Sequence, residues 1–164
     1  TEAGSLQCAG SFHGESTTGT LHPTYTKCTL LGQEATVKTE GCNYFITVKE
    51  KVAEDEFSAL TDIQCSPGSA IKISAGTCEF EVGPQTGLAT VKLKNDTSAS
   101  PKKDITISPE IKSVAYTITK DGAFCPFSGT GKKTDGSYTT TSPLTITGQK
   151  PTESGTKIGI EAGL

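Results

Sequence analysis

The chain has 164 residues, enough for one domain with its own core, and its formal net charge is only −3. The sequence pI is near 5.4 and all 15 basic residues are lysine, which argues against a nucleic-acid partner: the bidentate guanidinium fork is missing, and so is any long basic run. Hydrophobic content of 33% with so little net charge describes a folded chain with a modest core, and no apolar run approaches the roughly 18 residues of a transmembrane span.

Threonine occurs 27 times and serine 15 times, while Met, Trp and Arg are absent. A β-branched residue in such excess suits half-solvated sheet surfaces. The chain begins at Thr1 and holds no Met, so a cleaved secretory signal is expected, and with it a secreted, extracellular or cell-surface location.

In chain order, residues 1–27 are rich in Gly, Ser and Thr and read as a polar N-terminal arm able to add a strand. Residues 28–164 read as a disulfide-stapled β domain. ATVKT leads into a Glu-Gly turn, and NYFITVK then alternates Tyr44, Ile46 and Val48 against Phe45 and Thr47. EKVAEDEFSAL, residues 50–60, is rich in helix formers and predicts either one short helix or an acidic hairpin tip. FSALTDIQC, AIKIS, EFEV and LATVKLK follow, separated by Gly-containing turns. DITIS, IKSVAYTITK, SYTTT, PLTITG and KIGIEA complete the set. The expected fold is all-β: a single-domain sandwich or barrel of about ten short, mostly antiparallel strands, with at most one short helix.

Cysteines stand at 8, 28, 42, 65, 78 and 125. No two lie within four residues and the only histidines are His13 and His22, so neither zinc-ligand nor CxxC redox spacing is present. Disulfides are the expected chemistry. CTLLGQEATVKTEGCNYFITV (28–48) and CSPGSAIKISAGTCEFEV (65–82) share one layout and form a pseudo-repeat. A bridge inside each copy would pair Cys28 with Cys42 and Cys65 with Cys78, leaving Cys8 for Cys125. The rival pair is Cys42–Cys65, which a hairpin centred near Glu54 would bring face to face.

Candidate chemical sites are sparse. GTGKKTDGS (129–137) fails the phosphate-loop pattern, because Pro126 stands where the first Gly is required. Glu50, Glu54, Asp55 and Glu56 form an acidic cluster without the spacing of a calcium loop and read as a solvated turn. His13 and His22, near Ser11 and Ser16, sit outside any nucleophile-elbow motif. Tyr25, Tyr44, Tyr116 and Tyr138 fall mostly within alternating strands, where packing is the expected role. Asn95-Asp-Thr97 matches a glycosylation acceptor.

HPTYTKC, the ATV…GCNY run, QCSPGSAIKI, the GPQTGL turn and ITKDGAFCPFSGTG resemble a group of small secreted actinobacterial proteins of uncharacterised function. The resemblance covers most of residues 20–162, with CPFSGTG its most specific stretch. It implies a secreted, disulfide-bonded β domain, and it transfers no reaction and no catalytic residue.

The function expected is that of a non-catalytic extracellular structural or surface protein, self-assembling through sheet edges or the N-terminal arm. The alternative is a secreted binding module that takes glycan or protein at its end loops; an enzyme with carboxylates brought together only by the fold comes third. Neither cofactor nor metal is expected, and the partners would be further copies of the chain, a cell-envelope component or a glycan.

Overall fold

The computed structural model describes residues 5–14, 19–98, 104–123, 125, 127, 129–140, 144–149 and 157–158. Among these the chain is all-β, with thirteen strands and no helix. They are β1 (Ser5–Gly14), β2 (Thr20–Leu30), β3 (Gln33–Lys38), β4 (Cys42–Ala53), β5 (Glu56–Cys65), β6 (Ile71–Ala75) and β7 (Cys78–Val82). β8 (Gln85–Asn95), β9 (Asp104–Ser108), β10 (Glu110–Asp121), β11 (Gly131–Thr140), β12 (Leu144–Gln149) and β13 (Lys157–Ile158) complete the order. Residues 50–60 resolve as the hairpin tip: Ala53 pairs with Glu56 across a Glu54–Asp55 turn in which Asp55 takes φ 60°. Local helix propensity loses there to burial of Phe57 and Ala59 on the paired strand.

Seven strands close a barrel in the order β1-β11-β10-β7-β6-β3-β2, and β2 returns to β1. An odd ring cannot alternate strand direction all the way round, so one neighbouring pair must be parallel. That pair is β1–β11, with Ser5 opposite Ser137 and Cys8 opposite Thr140. β1 is paired along both edges, parallel to β11 and antiparallel to β2, so the polar N-terminal stretch is a wall of the barrel. β2 runs unbroken across residue 27, where the arm was expected to end.

The sheet branches at β2. Its C-terminal end, Cys28–Leu30, pairs with β3, while Thr20 and Leu21 pair with Phe45 and Tyr44 of β4. From β4 a second sheet continues through β5, β8, β9, β12 and β13 and covers one side of the barrel. The two pseudo-repeat copies meet across the β3–β6 ladder, Val37 opposite Ile73.

The core follows from alternation. On β6, Ile71, Ile73 and Ala75 are buried while Lys72 and Ser74 face water; on β7, Cys78, Phe80 and Val82 are buried. On β8 the buried positions step from Leu88 to Val91, because a bulge shifts the ladder between Thr61↔Leu88 and Ala59↔Val91.

All six cysteines are paired, as Cys8–Cys28, Cys42–Cys65 and Cys78–Cys125. The bridges expected within each repeat copy, Cys28–Cys42 and Cys65–Cys78, are therefore replaced, as is Cys8–Cys125. Register explains each partner. Cys42 and Cys65 are directly opposite in the β4–β5 hairpin. A bulge with Lys27 at φ 50° seats Cys28 against Cys8. After β10, turn hydrogen bonds from Gly122 N to Thr77 O and from Cys125 N to Gly122 O fold Cys125 back over Cys78.

Candidate binding site inside the barrel

Inward-facing side chains do not fill the barrel. A cavity of ≈ 80 Å³ remains, walled by aliphatic residues such as Leu30, Ile71, Ile73 and Val82, and closed on the second-sheet side by Tyr44, Ile63 and Leu88. All four tyrosines of the chain border it. They arrive from four strands: Tyr25 on β2, Tyr44 on β4, Tyr116 on β10 and Tyr138 on β11.

Three of them form a hydroxyl cluster. Tyr25 Oη and Tyr44 Oη share a hydrogen bond of 2.6 Å, and the Tyr25 ring meets the Tyr138 ring edge-on at 5.6 Å. The Tyr138 hydroxyl is buried beside that of Tyr25 but makes no hydrogen bond of good geometry, while its residue is only 8% exposed. Burial pushes the Tyr25 phenol well above its ordinary value, and the neighbouring Tyr44 and Tyr138 hydroxyls add to the effect. Burial likewise raises Tyr44 and Tyr138, and the neighbouring Tyr25 hydroxyl offsets part of the rise at each. The cluster is therefore neutral throughout the physiological range and acts through O–H dipoles.

The cavity wall is irregular where β10 meets β11. Their ladder slips twice, between Ile111 and Val114 and again between Val114 and Tyr116, and Ser113 takes φ 58°. These bulges set the half-buried Val114 and Tyr116 in the cavity wall. Gly136 faces them: a Cβ there would stand 2.8 Å from Val114 O and 3.0 Å from the Tyr116 ring, so only glycine lets the strands close. From β8, Gln85 clamps the bulge with both ends of its amide, Ala115 N donating to Oε1 at 2.9 Å and Nε2 donating to Ala115 O at 3.0 Å. Phe80 packs edge-on against both Tyr116 and Phe127, and the Cys78–Cys125 bridge tethers the segment that carries Phe127. The Tyr116 hydroxyl donates to Asp135 Oδ1 at 3.2 Å, and its pKa is pushed up to about 12 by burial and then by the Asp135 charge.

A second cavity of ≈ 20 Å³ lies between the barrel and the second sheet, bordered by Thr61, Val91 and Tyr138. The buried Thr61 hydroxyl has no partner either. Tyr138 thus stands in the wall shared by both spaces.

The sites singled out from the sequence lie elsewhere. His13 is the cross-strand partner of His22, and His22 Nδ1 donates to Asn43 Oδ1 at 2.6 Å. Ser11 pairs with Thr24 in the same ladder, and Ser16 lies outside the described residues. The acidic cluster is dispersed along the β4–β5 hairpin: Glu50 accepts from the Ser58 hydroxyl, and Glu56 forms an exposed ion pair with Lys94. Residues 131–137 of the lysine-tipped GTGKKTDGS stretch are part of β11. Asn95 is 2% exposed, so its acceptor amide is closed to glycosylation in the folded chain. Among the described residues no group of three or more His, Cys, Asp and Glu is placed to hold a metal ion, and no helix is long and apolar enough to cross a membrane.

No family model, curated protein or solved structure matches the chain.

Proposed function

We propose that this protein is a non-catalytic extracellular binding module that takes a small, mainly apolar molecule into its barrel. The observation that carries the reading is the ≈ 80 Å³ apolar cavity itself. Natural cores are close-packed and leave few such voids. Three disulfides fit a protein that works outside the cytoplasm. A non-catalytic role fits tyrosines held neutral by burial and a His22 engaged with an amide. The ligand class differs from the glycan expected at end loops. All four tyrosines border the cavity, so none is spent as an exposed stacking platform.

The chain has no Trp, and each of its four tyrosines borders the cavity. Tyrosine fluorescence and near-UV circular dichroism therefore report the site directly. The test is a titration with compact apolar compounds: a saturable tyrosine signal supports the reading, and a strictly linear response to every compound sinks it.

Self-assembly, the second reading, draws on one feature. Beyond Ile46 the outer edge of β4, from Thr47 to Ala53, has no strand partner among the described residues, and Val52 is exposed. Exchange of the N-terminal arm loses support, since β1 is paired on both edges and bridged through Cys8 to Cys28 of the same chain. Light scattering with negative-stain microscopy separates the readings: filaments or large ordered oligomers would favour the β4 edge.

A further inference from the structure

We infer that the barrel cavity is a dry site for an apolar guest of about three heavy atoms, a short hydrocarbon without a polar group. The inference rests on the binding function proposed above and adds the size and chemical class of the ligand.

Volume sets the size. An engineered apolar cavity of ~150 Å³ takes up benzene, about 25 Å³ for each carbon of the ring. At the same density the ≈ 80 Å³ here holds about three heavy atoms, and a benzene-sized ring is excluded.

The wall sets the polarity. Among the described residues no Lys, Asp, Glu or His borders the cavity, so a charged guest would be buried without a counter-charge. The four tyrosines contribute rings rather than free hydroxyls. Those of Tyr25 and Tyr44 bond to each other, that of Tyr138 is buried beside Tyr25, and that of Tyr116 donates to Asp135. A hydroxyl or carbonyl on the guest would give up its water and gain no partner, and water itself would find too few. What remains is dispersion contact with Leu30, Ile71, Ile73 and Val82 on one side and with aromatic rings on the other, which favours hydrocarbon alone. A guest of this size binds modestly, with Kd about 1 mM.

The experiment uses the oxidised full chain and follows the methyl NMR signals of Leu30, Ile71 and Ile73 during titration with cyclopropane, ethanol and benzene. Cyclopropane should shift those methyls saturably, while ethanol, with as many heavy atoms, binds at least tenfold more weakly and benzene does not bind. Val82→Ile adds one carbon to the wall and should weaken cyclopropane at least fivefold. Ile73→Val removes one carbon and should admit cyclobutane about as tightly as wild type admits cyclopropane. Benzene bound at these methyls as tightly as cyclopropane overturns the size limit, and ethanol bound as tightly overturns the apolar class; the binding function stands in both cases. Cyclopropane affinity unchanged in Val82→Ile, or cyclobutane excluded from Ile73→Val, overturns the assignment of the guest to this space. If wild type binds no probe, this proposal and the binding function fall together.

Discussion

Tyr138→Phe should make the ligand-free protein more stable, the reverse of what removing a buried polar group ordinarily does. The wild-type hydroxyl is buried without a hydrogen bond of good geometry, and stranding such a group costs about 1–3 kcal/mol relative to water. Deleting the oxygen removes that penalty. It enlarges the adjoining cavity by roughly 10 Å³, which at about 24 cal/mol per Å³ returns only about 0.2 kcal/mol. The net expectation is a gain of about 1 kcal/mol, or about 2–4 °C in Tm for a chain of this size. Tyr25→Phe is the matched control. It breaks the 2.6 Å bond to Tyr44 and should cost about 0.5–1.5 kcal/mol. Urea unfolding of both variants, with unchanged m-values, measures the two signs. If Tyr138→Phe is destabilising by more than about 0.5 kcal/mol, the hydroxyl is satisfied in solution, with Tyr25 as its partner.

Four further outcomes are expected. Because burial raises all four tyrosines above 10.0, with Tyr116 at about 12, the native protein should show almost no phenolate absorbance where the urea-unfolded chain is already half ionised. The folded state then holds protons that the unfolded state releases. That stability is fully present below about pH 10 and is lost as pH rises through the folded values, so alkaline unfolding should coincide with tyrosine ionisation. Replacing Cys78 and Cys125 together by serine should cost about 4 kcal/mol, against about 3 kcal/mol for either other pair, because that bridge closes a separation of 47 residues rather than 20 or 23; thermal melts rank the three. Leu31→Asn should stabilise by about 0.5–1 kcal/mol, since Leu31 is exposed and sits at φ 50° beside Gly32 in the β2–β3 turn, a conformation asparagine accepts more readily; a fall in Tm would contradict it. Gly136→Ala should displace the Tyr116 ring or open the β10–β11 ladder, visible as faster amide exchange around Val114.

Local pattern made the strands legible and long-range pairing remained hidden. Alternation through AIKIS and EFEV marks β6 and β7 with their inward faces, because the side-chain period of a strand is written in the sequence. Barrel closure is not written there: it depends on a parallel ladder between Ser5–Cys8 and Ser137–Thr140, and nothing in either segment names the other. The disulfides show the same divide. Six cysteines without metal spacing read as bridges, but the repeat suggested pairs within each copy, whereas register across the β4–β5 hairpin decides for Cys42–Cys65. The tyrosines are the instructive miss. Each lies in its own strand pattern, and only closure brings the four to one cavity.

Closure also explains why such a cavity is tolerated. A void of ≈ 80 Å³ costs about 2 kcal/mol at the usual cavity coefficient, and a Tyr138 hydroxyl buried without a well-formed hydrogen bond about 1–3 kcal/mol more. A chain with only 33% hydrophobic residues has little core to offset such losses. The bridges act where the offset is needed. Cys8–Cys28 fixes β1, the strand that completes the ring, and Cys78–Cys125 fixes the segment that brings Phe127 to the cavity wall. Each constrains the unfolded chain by about 3–4 kcal/mol without filling the interior. Stability is thereby uncoupled from packing density, and the barrel is free to keep an unfilled interior. Reducing the protein should therefore abolish probe binding at the same point at which it unfolds the barrel; binding that survived full reduction would show that the cavity does not depend on closure.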